Sequence, residues 1–283
     1  MRLRVAVLGC NGMLGSDLAK ACNRAGFETI GLDLPEFDIR DFNNVRSNMP
    51  QVDWAVNCAA YTKVDDAESH RQEAFAVNAE GAHSVARVCE RRGIRLLHVS
   101  TDYIFDGRRT RPYVEKDHPD PLGVYGASKL QGEKSVRAEG GHFLVARTQS
   151  LFGRNGPNFV RAIAKKLVEK GGPLRVVDDQ VSAPTYTVHL AEAFVQMMKL
   201  SKEGIVHITA SGECSWFEFA RAIVDRVKPG EEVIPIKSSE LGRPAPRPGY
   251  SVLDNSLYIS WTRHPMPTWQ EGMDAYLKEE GFI

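Results

Sequence analysis

Short apolar runs alternate along the first half of the chain with longer segments whose apolar residues recur three and four apart. Val5-Ala-Val-Leu8, Thr29-Ile-Gly-Leu32, Trp54-Ala-Val-Asn57, Leu96-Leu-His-Val99 and Phe143-Leu-Val-Ala146 have the length and composition of strands buried on both faces. Residues 13–26, 73–92 and 124–138 carry the period of amphipathic helices. Strand–helix alternation predicts an α/β fold, a doubly wound parallel sheet with helices on both faces.

The pattern is regular to about residue 147 and then loosens. A Gly/Asn/Pro loop at 153–157 is followed by predicted helices over 158–170, 187–200 and 215–227. The run Gly242-Arg-Pro-Ala-Pro-Arg-Pro-Gly249 cannot be helical, because its prolines and glycines lack or strain the helical backbone. A capped terminal helix is expected from Pro267 to Lys278, with Trp261 and Trp269 packing the C-terminal lobe. The expected organisation is a dinucleotide-binding domain over 1–147 and a smaller, mainly substrate-binding lobe over 148–283, with some late elements returning to the first domain.

Composition narrows the classes of function. The chain has 283 residues, 42% of them hydrophobic, enough for one large core or two fused lobes. Thirty-six basic residues balance thirty-six acidic ones, so no global field recruits a nucleic acid. Cys10, Cys22, Cys58, Cys89 and Cys214 are odd in number and form no C-x-x-C pair, which fits buried thiols in a reducing, cytoplasmic setting. No segment has the length of a membrane span. The apolar run after Met1-Arg-Leu-Arg4 is too short for a secretory h-region and reads as a first strand. Eight dispersed histidines without a metal-ligand spacing suggest no metal site.

Gly9-Cys-Asn-Gly12-Met-Leu-Gly15 lies between a predicted strand and a predicted helix. Small residues there let a pyrophosphate approach backbone N–H groups at a helix N-terminus, so Gly9, Asn11, Gly12, Met13, Leu14 and Gly15 are candidate cofactor contacts. The spacing is G-x-x-G-x-x-G, and a glycine trio alone is weak evidence. Asp33 ends the second strand eighteen residues past Gly15, close to where a carboxylate grips a ribose 2′-hydroxyl. That carboxylate disfavours a 2′-phosphate, which leans toward NADH over NADPH. Asp38 and Ile39 can sit near an adenine, although an exposed loop with an N-cap at Asp41 explains the segment nearly as well. Cys58, Ala59, Ala60 and Tyr61 follow the third strand and would wall the cofactor at the carboxyl edge of the sheet.

Tyr125-Gly-Ala-Ser-Lys129 puts a phenol and an ammonium on one helix face, with Cβ atoms roughly 5–6 Å apart. Such a pair suits proton donation to an oxygen as hydride reaches its carbon, a neighbouring cation favouring the phenolate left behind. Thr101, in Ser100-Thr-Asp-Tyr103 after the fourth strand, would emerge beside it and hydrogen-bond the reacting carbonyl. A Y-x-x-x-K or a lone threonine arises easily by chance. The ordered set of glycine loop, acidic strand end, Asn57-Cys-Ala-Ala60, Ser-Thr-Asp and Tyr-x-x-x-Lys does not.

These residues resemble the extended short-chain dehydrogenase/reductase family, whose fold is of the Rossmann type, over nearly the whole chain. The most specific echoes are Asn57-Cys-Ala-Ala-Tyr-Thr62, Val64-Asp-Asp-Ala-Glu68, Ser100-Thr-Asp-Tyr-Ile-Phe-Asp-Gly107, Val124-Tyr-Gly-Ala-Ser-Lys129, Asp179-Gln-Val-Ser-Ala-Pro-Thr185 and Arg243-Pro-Ala-Pro-Arg-Pro-Gly-Tyr-Ser-Val-Leu-Asp254. They are similar to the branch that uses NADPH or NADH to reduce the C4 ketone of dTDP-4-dehydro-6-deoxy-L-mannose to dTDP-L-rhamnose. The resemblance implies Thr101, Tyr125 and Lys129 as catalytic residues and Thr101, Asp102 and Tyr103 near a nucleotide-sugar substrate. It also implies that Mg²⁺ assists some members, and it is compatible with a homodimer. Arg243 and Arg247 are candidate clamps for the substrate diphosphate, since guanidinium matches phosphate bidentately; exposed loop arginines are the equal alternative.

Two positions depart from the family. Ser150, in Arg147-Thr-Gln-Ser-Leu-Phe152, stands where a tryptophan associated with the sugar is usual, and Asp33-Leu34 replaces the usual Asp-Arg. A dehydratase would follow its threonine with Asp-Glu, whereas Asp102-Tyr103 lacks the second carboxylate. An epimerase shares the core residues. A non-catalytic relative, the regulatory subunit of methionine adenosyltransferase, need not retain Thr101, Tyr125 and Lys129 together.

Overall fold

The computed structural model describes residues 2–283. Six strands form one all-parallel sheet: β1 Arg4–Leu8, β2 Glu28–Leu32, β3 Trp54–Asn57, β4 Arg95–Thr101, β5 Phe143–Thr148 and β6 Gly204–His207. Their spatial order is β6-β5-β4-β3-β1-β2, so the chain steps one way from β1 to β2 and returns to lay β3 on the other side. The loops leaving β1 and β3 therefore diverge at the carboxyl edge, and the crevice between them is the switch point where open α/β sheets take ligands. Arg4, the first residue of β1, is exposed and the other four are buried, as a strand covered on both faces requires.

The principal helices are α1 Met13–Arg24, α2 Phe42–Asn48, α3 Ala82–Arg92, α4 Val124–Glu139, α5 Phe159–Glu169, α6 Thr187–Leu200, α7 Trp216–Val227 and α8 Trp269–Glu279. On one face of the sheet, Leu14 and Leu18 of α1 and Leu190, Phe194 and Met198 of α6 pack on Val5, Val7 and Val56. On the other, Val45 of α2, Val85 and Val88 of α3 and Val136 of α4 pack on Ala6, Leu8 and Ala55. A doubly wound sheet with helices on both faces is thus the fold, as the alternation predicts.

Residues 187–207 return to the sheet: α6 covers it and β6 extends its edge. The Gly204-Ile-Val-His207 strand was not among those expected. It has only two adjacent branched aliphatics, too few to register as an apolar run. A separate core joins α5, α7 and α8 through Val160, Leu167, Phe219, Ile223 and Tyr276, and Trp269 packs there as expected. Trp261 does not; it packs against the sheet-and-α6 core under the Lys202 ammonium. Its helix, Ser256–Thr262, follows the chain back over the first layer. Two segments singled out in the sequence pair with each other: Val181 N–H donates to Gly249 O at 2.8 Å and Ser251 N–H to Val181 O at 3.0 Å.

Candidate active site

One cavity of about 880 Å³ follows the carboxyl edge of the sheet. It is lined by Gly9, Gly12, Met13, Leu14, Asp33, Asp38, Ile39, Cys58, Ala59, Ala60 and Tyr61, and also by Thr101, Asp102, Tyr103, Tyr125 and Lys129. The glycine turn and the tyrosine–lysine pair, more than a hundred residues apart, open onto the same space.

The glycine turn is built for close approach. Gly9 takes φ +75°, a left-handed conformation that glycine adopts without cost. A Cβ on Gly15 would stand 2.1 Å from the Gly9 carbonyl oxygen, so any side chain there would push α1 away from β1. Gly15 is thus a packing position rather than a lining one. The N-terminus of α1 has no side-chain cap and no acidic residue in its first turn, which leaves its leading N–H groups and positive dipole end open to an anion. Asp33 is held across the turn: its carboxylate accepts Asn11 N–H at 2.8 Å and Leu34 N–H at 2.8 Å. Asn11 therefore meets Asp33 through its backbone and is not among the cavity-lining residues. A pyrophosphate on the α1 N-terminus and a ribose at Asp33 fit this cradle.

Arg40 was missed by the sequence reading, although it closes the Asp38-Ile-Arg segment. It lines the cavity, and its guanidinium forks onto the Asp38 carboxylate with contacts of 2.7–3.0 Å. That pairing holds the Asp38 carboxyl below its ordinary range.

Helix α4 carries the candidate pair, Tyr125 and Lys129. A Cβ on Gly126 would lie 2.1 Å from Tyr103 O, so glycine is what lets α4 sit against the 102–104 turn. Asn78 ties a second wall to the same helix. Its amide accepts Tyr61 N–H at 2.9 Å and donates to Tyr61 O at 3.1 Å and Ser128 Oγ at 3.0 Å. Asn78 lies in a π-helical stretch, Ala76–Gly81, that interrupts the helical run from Arg71 to Arg92. One polar residue in an apolar helical period was the only available signal for it.

Lys129 is 3% exposed, and its ammonium donates to Val99 O at 2.6 Å. Burial pulls its pKa down to about 8, against the raising influence of Glu133 one turn further along α4. Burial also pushes the Tyr125 phenol well above its ordinary value, opposed by the Thr101 hydroxyl within hydrogen-bonding reach. The phenol therefore carries its proton at neutral pH, as an acid must. Asp102 is buried and rises to about 6, with Ser251 and Thr101 hydroxyls favouring its ionised form. Tyr103 stands edge-on to Tyr125, ring centroids 5.5 Å apart.

Arg243 and Arg247 are not brought into the cavity. Arg247 forks onto Asp65 at 2.9 and 2.8 Å, and Arg243 approaches the same carboxylate at 3.9 Å. An Asp65 anion already satisfies the geometry a diphosphate would use. The position of the family tryptophan, Ser150, does line the cavity, with φ +47° and its hydroxyl 2.9 Å from Ser182 Oγ. Among the described residues, no group of three His, Cys, Asp or Glu side chains is placed to hold a metal ion.

A doubly wound sheet, a glycine-turn cradle at its switch point and a Thr–Tyr–Lys set on the same cavity define an extended short-chain dehydrogenase/reductase. Residues 3–281 match the model of the RmlD substrate binding domain, and the chain belongs to that family. It is 38% identical over 281 residues to a dTDP-4-dehydrorhamnose reductase of Mycobacterium tuberculosis, covering 97% of this chain and 92% of that one. It is also 38% identical over 278 residues to the spore coat polysaccharide biosynthesis protein SpsK of Bacillus subtilis, covering 98% and 97%. The crystal structure of dTDP-4-dehydrorhamnose reductase from Bacillus anthracis in complex with NADP superposes with a TM-score of 0.95. It is 34% identical, over 99% of this chain and 100% of that one.

Proposed function

We propose that the protein is an NAD(P)H-dependent oxidoreductase that reduces the C4 ketone of dTDP-4-dehydro-6-deoxy-L-mannose, giving dTDP-L-rhamnose. The observation that carries this reading is the convergence of Thr101, Tyr125 and Lys129 on the cavity that also holds the glycine turn. The activities for which the Mycobacterium tuberculosis and Bacillus anthracis relatives are named support the same reaction and substrate class.

The reduced nicotinamide, when bound, supplies the hydride. Tyr125 donates its proton to the ketone oxygen as charge develops there, and its buried position keeps that proton in place until it is needed. Lys129 steadies the phenolate left behind through its positive charge, one turn along the same helix. Thr101 offers a second donor to the same oxygen, stabilising the developing alkoxide. Asp33 and the N-terminus of α1 hold the ribose and pyrophosphate. Asp33 favours a free 2′-hydroxyl while Arg40 offers a guanidinium to a 2′-phosphate, so both coenzymes are substrates of this reading. Action in the cytoplasm, as a homodimer, without nucleic acid or metal, completes it.

The test is loss of reduced-nicotinamide absorbance with the 4-keto sugar nucleotide, wild type against Tyr125→Phe. Turnover is expected to fall by about 10²–10⁴-fold in the variant with cofactor binding retained. Unchanged turnover removes Tyr125 as the acid, and net consumption of coenzyme separates reduction from epimerisation.

A further inference from the structure

We propose that Asp102 is a positioning residue that sets the direction in which the Thr101 hydroxyl donates: away from the substrate when the carboxylate is ionised, and into the cavity when it carries a proton. The inference rests on the reductase reading and deepens it. A threonine hydroxyl has one proton and two lone pairs. Thr101 Oγ1 accepts Tyr103 N–H at 3.2 Å, so one lone pair is taken. It stands 3.0 Å from Asp102 Oδ1. An ionised carboxylate is acceptor-only, so the only proton that can lie between those two oxygens is the hydroxyl's own. Charge-assisted bonds of this kind are roughly twice as strong as neutral ones, and a neutral ketone oxygen competes poorly for that proton.

The Thr101 hydroxyl also lies close enough to the Tyr125 phenol to favour its ionised form when the threonine proton is free to turn that way. With Asp102 ionised, the threonine proton is turned toward a protein oxygen and away from the ketone. A proton on Asp102 reverses the arrangement: the carboxylic acid donates to Thr101 Oγ1, and the threonine proton is released toward the ketone. It also removes an anion from beside the developing alkoxide.

Asp102 is placed for such control. It is 2% exposed and lines the cavity, and the Ser251 hydroxyl, from the strap that runs along Val181, lies near enough to favour its ionised form. Burial keeps the carboxyl protonated to about pH 6. The other groups facing it do not titrate there. Tyr103 is pushed up to about 12, Tyr125 is raised as well, and Lys129 on α4 titrates at about 8. Arg247, beyond Tyr103, stays charged in its pairing with Asp65.

The experiment compares wild type, Asp102→Asn and Ser251→Ala for single-turnover reduction from about pH 5 to about pH 7.5, with unfolding equilibria measured on the same proteins without substrate. Asparagine keeps the shape and always has N–H to donate to Thr101. In wild type the rate is expected to fall about tenfold per pH unit above the Asp102 midpoint, while Asp102→Asn stays flat and overtakes it by about tenfold near pH 7. Ser251→Ala removes a donor to the ionised carboxylate and moves the wild-type midpoint to higher pH, a shift that a merely structural role would not produce. Without substrate, the folding equilibrium constant of wild type relative to Asp102→Asn is expected to fall about fiftyfold from about pH 4 to about pH 6.5, because the unfolded carboxyl ionises first.

Parallel rate profiles for wild type and Asp102→Asn, or a stability difference independent of pH, overturn the proposal. If no 4-keto sugar nucleotide is reduced by wild type, the functional reading fails, and the stability comparison still decides whether Asp102 carries the proton. If Asp102→Asn does not fold, the Ser251→Ala shift decides alone.

Discussion

The sharpest structural prediction concerns Glu133, which does not line the cavity. Its Oε1 accepts Ser100 Oγ–H at 2.5 Å and Arg147 Nε–H at 3.0 Å, and its Oε2 accepts Arg147 Nη2–H at 2.8 Å. Both side chains are almost wholly buried, at 3% and 2% exposure. Arg147 also lies over the Phe105 ring at 5.4 Å and reaches Glu115 O at 3.3 Å. Glu133→Gln keeps the volume but leaves the guanidinium charged, dry and facing amide hydrogens. Breaking a buried pair by removing one partner costs about 3–5 kcal/mol, a large share of the ~5–15 kcal/mol that holds a domain folded. At roughly 2–4 °C per kcal/mol, the melting temperature should drop by about 10 °C. Urea unfolding measures the loss directly, with an unchanged m-value showing that the compact state is retained. The double change Glu133→Leu with Arg147→Met should recover most of it, since matched apolar replacement of a buried pair is often neutral. A cost below about 1 kcal/mol for Glu133→Gln, or a double variant as weak as the single one, would show that the buried pair does not hold the fold in this way.

Lys129 supplies an alkaline limit. Its depressed pKa of about 8 means that activity, already falling above the Asp102 midpoint, should fall more steeply as pH rises through about 8, and that Lys129→Met, folded but slow, should lose that steepening. The linked stability runs the other way. The unfolded lysine binds a proton that the folded one has lost, so wild type gains stability on Lys129→Met between about pH 8 and about pH 10.5, measured by denaturant titration. Gly15→Ala, whose Cβ would meet the Gly9 carbonyl at 2.1 Å, should weaken dinucleotide binding by at least about tenfold, read by fluorescence titration. Arg40→Ala should cost NADPH more than NADH in kcat/KM, and equal losses would remove Arg40 from the 2′-phosphate position.

The strands and helices that place the site were legible because each is a contiguous run with one period. Val5–Leu8 and Trp54–Asn57 are apolar throughout, and the loops after them had to emerge at the same sheet edge. Gly204–His207 was not legible, because it is short and its place beside β5 is fixed by pairing with Leu144–Arg147 rather than by its own composition. Asn78 and Glu133 are polar residues inside helical periods, where sequence offers no partner; the partners, Tyr61 and Arg147, lie 17 and 14 residues away. The pairing of Arg247 was hidden for a related reason. A guanidinium suited to a phosphate is equally suited to a carboxylate, and only the fold brings Asp65, 182 residues distant, into its fork.

The direction of the reaction follows from where the charges lie. Desolvation raises both Tyr125 and Asp102, so the cavity favours neutral acids over anions at its reacting end. The cation on the same helix face is Lys129, its proton held by Val99 O on one side and favoured by Glu133 one turn below. A site that begins with its protons in place and can tolerate a phenolate only beside that ammonium is poised to give a proton once per turnover. An epimerase must take and return the proton with equal ease, which calls for a phenol tuned close to working pH in the same enzyme form. Measuring the Tyr125 ultraviolet titration with oxidised coenzyme bound separates the two: a phenol still protonated near pH 8 supports the reductase, and one half ionised near pH 7 favours the epimerase.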